Sequence, residues 1–287
     1  MLLGDYFMWI LFVILYIIAA VIFTQFIKVS TETSKNHGAL VILLQFIAGL
    51  SSLLFAPFFS FTFPTDWRVY FFLGIACIFY ALADRMNTTV RSGVEASTFS
   101  IIKQLSTVIM IIGGLLFLKE PFVLKKIIGA GLIIFSNILV FYKKGKQKLD
   151  KYVMLGIVAN LFFSVALFLD VNISENFNLP LYITTTLWVP ALFILIAERV
   201  KFSSIKDEFK NGNKKAILLT GLFWGSSIVA SLRAYQLGDV TTVAPLSALT
   251  VIGNVILGYL FLKEKNNLLR KIISALLIII SIILINS

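Results

Sequence analysis

Apolar runs of about twenty residues follow one another along the whole chain, separated by short polar joints. A helix rising 1.5 Å per residue needs roughly 20 apolar residues to cross a hydrocarbon core about 30 Å thick. Runs of that length fall at about 7–27, 38–60, 68–88, 95–118 and 122–142, then at 152–171, 180–198, 214–236, 240–262 and 266–286. The pattern predicts ten membrane-crossing helices and leaves no room for a soluble domain. Two joints are strongly polar: "KKGKQKLDK" at 143–151 and "ERVKFSSIKDEFKNGNKK" at 198–215.

The first of these joints divides five predicted helices from five. The stretch "FLKE" closes an apolar run at 117–120 and again at 261–264, 144 positions apart. The same offset places Thr98 on Thr242, Leu105 on Leu249 and Gly114 on Gly258. Leucine and isoleucine matches are cheap in membrane helices, but a run of four containing Lys and Glu is not. The expected organisation is a first five-helix repeat at 1–142, a basic linker at 143–151 and a second repeat at 152–287. Because five is odd, the second repeat enters the membrane from the opposite side. The fold class is therefore an all-α integral membrane protein of ten transmembrane helices, arranged as two inverted five-helix repeats. Each FLKE reads as a tight helical hairpin. Lys119 and Lys263 can snorkel to headgroups, Glu120 and Glu264 sit near the N-terminus of the following helix, and Pro121 suits a first helical turn.

Composition agrees. The chain is 59% hydrophobic and 14% charged, with a mean hydropathy of +0.95, where soluble domains carry about 25% charged residues. The first run lacks a basic stretch before it and is too long for a signal peptide, so it reads as a permanent helix. One cysteine, Cys77, and one histidine, His37, leave no disulfide framework and no zinc cluster. No triad, metal motif or phosphate loop is present, so no enzyme activity, cofactor or metal is expected. The net charge of +11 lies mainly between apolar runs, where it marks sidedness rather than nucleic-acid binding. Nineteen Lys and Arg fall in odd-numbered connections and five in even-numbered ones, which places both termini outside the cell.

The repeat, the closings "GLLFLKE" and "GYLFLKE", the following "IIGAGLIIFSNILVF" and "IISALLIIISIILI", and "LRAYQLGDVTTVAPLSALTVIGNVILGYLFLKE" at 232–264 together resemble the ten-helix EamA-type carriers of the drug/metabolite transporter superfamily. The resemblance covers nearly the whole chain. It implies export or exchange of small metabolites, no cofactor, a central cavity between the halves, and termini inside the cell, against the charge count. One departure stands out: opposite Pro245 the first repeat has Ile101, and two positions further on it has Lys103.

Ionisable residues at membrane depth are functional candidates by default. Lys103, with Gln104 beside it, lies about eight residues into the fourth run. Three readings stand for it: cavity lining or ligand binding, an internal salt bridge, or snorkelling. Its repeat equivalent, Ser247, heads a stripe with Thr250, Asn254 and Gly258 at helical spacing, matched by Lys103, Ser106, Met110 and Gly114. Both stripes are expected to face one central space, unless they merely pack helices closely. Trp224, Ser227, Ser231 and Tyr235 share a face of the eighth run, which suits an organic ligand or an interface anchor. Asp84, Arg85, Arg91 and Glu95 are read as a paired network at the mouth of spans three and four, with Asp84 and Glu95 as sharper candidates for gating or coupling. Arg233 parallels Arg85, and Asp170 is a further candidate carboxylate.

These residues point to a secondary transporter, an exporter or exchanger of a small polar or anionic metabolite such as an amino acid or organic acid, working by alternating access. The expected setting is the plasma membrane, as a multi-pass protein. The expected partners are a small-molecule substrate and the lipid bilayer, without nucleic acid, and a homodimer is compatible. The alternatives are a lipid or polyprenyl-phosphate flippase of the same fold, or a membrane scaffold subunit without cargo.

Overall fold

The computed structural model describes residues 3–117, 123–141 and 150–286; Lys119 and Glu120 of the first FLKE, Pro121, and positions 143–149 of the linker lie outside the described residues. Every regular element among the described residues is helical. Span 1 is Leu3–Glu32, span 2 His37–Leu53 and span 3 Trp67–Gly93; span 5 is Leu124–Phe141. Span 6 is Lys151–Ile173, span 7 Leu179–Ala197, span 8 Lys214–Leu237 and span 10 Leu268–Asn286. Spans 4 and 9 each come in two pieces: Ala96–Lys103 with Leu105–Phe117, and Val240–Ser247 with Thr250–Phe261. Nine of the ten spans are long and apolar enough to cross a membrane among the described residues, and span 5 carries the shorter apolar stretch Ile127–Leu139.

Polar side chains start the helices. Asn36, Asp66, Asp150, Asn178 and Asn213 each accept a hydrogen bond from a first-turn N–H of spans 2, 3, 6, 7 and 8. The polar joint at 198–215 is not an open linker, because Phe202–Asn211 forms an amphipathic helix. It packs Ile205 and Phe209 inward, and buried Glu208 accepts the backbone N–H groups of Lys35 and Asn36. Span 3 runs five residues beyond its expected end at 88. Asp84, Arg85 and Arg91 therefore belong to one helix rather than to its mouth.

Packing crosses between the halves throughout. Span 1 lies along span 8 and span 3 along span 6; span 2 pairs with span 7 and span 5 with span 10. Exchanging every span for its counterpart in the other half returns the same pairs, which is the signature of a pseudo-two-fold relation. Small residues permit the close approaches. A Cβ at Gly225 of span 8 would collide with the Ala48 backbone oxygen of span 2, and one at Gly49 with the Trp188 ring of span 7. Spans 5 and 10 are bonded directly: Ser274 Oγ donates to the Ser136 carbonyl and Ser281 Oγ to the Gly129 carbonyl, each at 2.8 Å.

The described FLKE also behaves differently from a simple hairpin. Lys263 takes a left-handed φ of 56°, turning the chain so that the Glu264 N–H reaches the Gly258 carbonyl at 3.0 Å. Glu264 reaches beyond the helix that follows it. Its carboxylate is buried and accepts the N–H groups of Ala96 and Ser97 and the Ser97 hydroxyl, so it caps span 4 of the opposite half. Lys271 stands 3.7 Å from it and also pairs with Glu95. Gly258 leaves the room for this carboxylate, since a Cβ there would meet Glu264 Oε2 at 2.7 Å.

The Gly225 contact has a direct test. Gly225→Ala is expected to cost about 1–3 kcal/mol through overpacking. Gly74→Ala, where an added Cβ meets nothing within 4 Å, should be neutral or gain up to about 1 kcal/mol in helix propensity. Thermal unfolding of the two purified variants checks the contrast.

Candidate functional site

The two helix breaks occur at equivalent positions, after Lys103 and after Ser247. In span 9 Pro245 lies within the helix just before the break, where the Ala248 N–H bonds the Pro245 carbonyl, three residues back, at 2.9 Å. Span 4 has no proline there and makes the same three-residue turn with a glutamine at the break. The Gln104 N–H bonds the Ile101 carbonyl, three residues back, and its side-chain Nε2 takes the Ser100 carbonyl at 3.2 Å instead. Thr107 Oγ1 holds the Gln104 Oε1 at 3.2 Å. Gln104 is buried in this role and does not reach the cavity, which corrects its expected place among the ligand-binding residues. Hydroxyls repair the loosened turns symmetrically: Ser106 donates to the Lys103 carbonyl at 2.6 Å and its counterpart Thr250 to the Ser247 carbonyl at 2.9 Å.

Both breaks open on a central cavity of about 100 Å³ lined by spans 1, 3, 4, 6, 7, 8 and 9. That is room for several water molecules. Three of the four members of each expected stripe line it, while Gly114 and Gly258 do not. Lys103, Ser106 and Met110 line one wall, and Ser247, Thr250 and Asn254 another. Trp224, Ser227, Ser231 and Tyr235 of span 8 complete the circuit, and Asp84 and Asp170 also line it.

The Lys103 ammonium lies 4.9 Å from the centroid of the Phe163 ring, with no carboxylate within 4 Å among the described residues. Of the three readings for this lysine, cavity lining is the one its position meets. Asp84 is close enough to act on it electrostatically and accepts a 2.9 Å bond from Gln45 Nε2. Asp170 is deeply buried and accepts two phenols, Tyr80 at 2.7 Å and Tyr182 at 2.6 Å. Asn254 is spoken for as well: it accepts from Gln25 Nε2 at 3.0 Å and donates to Ser100 Oγ at 2.9 Å, tying span 9 to spans 1 and 4.

The remaining candidates lie outside the cavity. Arg85 donates to Glu198 at 2.5 Å and to Thr89, Glu95 pairs with Lys271 and Asn266, and Arg91 is clasped between the rings of Phe23 and Phe99. The four charges at 84–95 therefore do not pair with one another as the sequence suggested. Each reaches a partner distant in sequence instead. Arg233 bonds Gln236 near the opposite end of span 8. Sequence reasoning missed the aromatic wall of Tyr16, Phe23, Phe99 and Phe163. Phe79, which faces Phe162, and the fully exposed Phe58 look the same in sequence, so no signal distinguished the cavity set.

Two consecutive segments, 7–142 and 150–287, each match the EamA-like transporter family. The chain belongs to the EamA-like transporter family. A protein of Sinorhizobium described as an uncharacterized transporter in the cobO 3' region is 46% identical over 54 residues, which is 19% of this chain and 38% of that one. A solved crystal structure, whose description names no activity, aligns over 96% of this chain and 98% of its own with a TM-score of 0.69 at 12% identity. That likeness speaks to the fold. As an EamA-like protein the chain is a multi-pass membrane protein of a transporter family.

The Asp170 cluster carries a prediction. Tyr182→Phe removes one of two donors from a buried carboxylate and is expected to cost about 1–3 kcal/mol. Tyr70→Phe, at an exposed tyrosine bonded to the Pro64 carbonyl, should stay within about 0.5 kcal/mol of the parent. Paired thermal denaturation of these variants in detergent reads the difference.

Proposed function

We propose that this EamA-like transporter is a secondary carrier of a small metabolite bearing a carboxylate, such as an amino acid or organic acid, residing in the plasma membrane and working by alternating access. The observation that carries the reading is the Lys103 ammonium, which faces the cavity over the Phe163 ring with no carboxylate at ion-pairing distance among the described residues. A buried ammonium gains most from an anionic hydrogen-bonding partner, and a ligand carboxylate is the partner this position lacks. Hydroxyls of Ser231 and Ser247 and the indole of Trp224 stand across the same space to orient the rest of the molecule. Asp84 and Asp170 are the candidate coupling carboxylates, because both line the cavity that the ligand occupies.

Two closures of different character support alternating access. Around the odd-numbered connections, Glu264 and Lys271 of the second half hold Ala96, Ser97 and Glu95 of the first, and Arg85 of span 3 holds Glu198 of span 7. Toward the other face the cavity ends on an apolar cluster with Trp9, Val13, Phe177 and Tyr182. Opening the first face means parting ion pairs between the halves, and opening the second means parting hydrophobic contacts. In this reading Arg85 and Glu95 are gate residues of the odd-numbered face.

The test is ligand-induced thermal stabilisation of the purified protein with a panel of amino acids and di- and tricarboxylic acids. A ligand at 100 times its Kd stabilises the folded state by about 2.7 kcal/mol. At least one carboxylate is expected to raise the unfolding temperature of the parent, and Lys103→Gln should lose most of that rise. Equal stabilisation of parent and Lys103→Gln by the same carboxylate contradicts the assignment.

A further inference from the structure

A second cavity system lies away from the central one, on the outer surface of the helix bundle. A groove runs between span 1 and span 8, walled by Phe12, Leu15 and Ile18 on one side and Phe223 and Val229 on the other, with Phe58 at its end. From Arg233 to Phe223 the groove follows ten residues of span 8. At 1.5 Å per residue that is about 15 Å, the depth of one leaflet of a roughly 30 Å hydrocarbon core. Leu15, Ile18 and Phe58 are exposed, so this groove opens to the acyl chains of the bilayer.

Arg233 stands where the apolar groove meets a separate polar pocket, and it lines both. An Arg side chain has five N–H donors. Here one nitrogen, Nη1, donates to Gln236 Oε1 at 3.1 Å, and the guanidinium lies 5.7 Å from the Phe59 ring centroid. No carboxylate is within ion-pairing distance of it among the described residues. The polar pocket also holds Ser60 and the exposed carboxylate of Glu175. One cation, one anion and a hydroxyl thus share a small space at the head of an apolar channel one leaflet deep.

We propose that this groove is a structural binding site for one phospholipid with a zwitterionic aminoethyl-phosphate headgroup. The phosphate takes the free guanidinium face of Arg233, whose planar donors suit a phosphate. The primary ammonium takes Glu175, and one acyl chain fills the channel between spans 1 and 8. A purely anionic headgroup satisfies Arg233 but brings negative charge against Glu175. A choline headgroup leaves Glu175 without an N–H donor. The site is separate from the central cavity and does not depend on which metabolite is carried.

Native mass spectrometry of the detergent-purified protein, titrated with phosphatidylethanolamine, phosphatidylcholine and phosphatidylglycerol of matched chains, tests the assignment. Phosphatidylethanolamine is expected to bind with the highest occupancy. Arg233→Gln should weaken it roughly tenfold, the scale of one lost charge-assisted hydrogen bond. Glu175→Gln, at an exposed residue that leaves the fold undisturbed, should remove the preference over phosphatidylglycerol while retaining binding. Equal binding of the three lipids by the parent protein, or a preference for phosphatidylethanolamine that persists in Glu175→Gln, overturns the proposal.

Discussion

A helix interrupted halfway across a membrane must find partners for its loosened backbone groups inside the protein, because hydrocarbon offers none. This chain interrupts two helices, at Gln104 and at Ala248, and much of the architecture follows from that constraint. The break points must be interior, and Gln104 and Ala248 are both buried. The hydroxyls of Ser106, Ser247 and Thr250 supply local donors to carbonyls around the breaks. Span 4 begins beside the second half rather than in an open turn, and Glu264 caps its first two N–H groups from there. The cavity is the space these two broken helices cannot fill.

Pseudo-symmetry gives two faces with similar packing, but the side chains at equivalent places differ. Lys103 faces Ser247 in the repeat, and Met110 faces Asn254. At these two positions the first half brings an ammonium and a thioether where the second half has a hydroxyl and an amide. The closures differ as well, with ion pairs and a buried cap around Glu264 at one end and the apolar cluster around Trp9 at the other. Duplication supplies the frame, and divergence within it sets the polarity of the site.

Much of this was legible in the sequence for a physical reason: a membrane helix announces itself by length and apolarity, both local properties. The ten runs, the repeat offset and the facing stripes headed by Lys103 and Ser247 all come from that local information, and the stripes do meet at one cavity. What escaped were the contacts between residues far apart in the chain. Glu264 looked like a cap for its own hairpin, yet it serves Ala96, 168 positions away. Asp84, Arg85, Arg91 and Glu95 looked like one network because they are close in sequence. Asp84 and Arg85 are neighbours on span 3 and point different ways, Glu95 lies beyond the end of that helix, and Gln45, Glu198, Phe99 and Lys271 claim the four separately. The break in span 4 was hidden because no proline or glycine marks it; a glutamine stands there, its side chain holding the Ser100 carbonyl.

The central claim is that two inverted halves enclose one polar space that opens to each side of the membrane in turn. Ser231 lines that space, and the native cysteine, Cys77, can be replaced by alanine first. A Ser231→Cys variant in this background is treated with a membrane-impermeant thiol reagent, added to intact cells in one sample and to inverted membrane vesicles in another. The account predicts that the cysteine is labelled from both sides. Labelling from one side alone, or from neither, contradicts it.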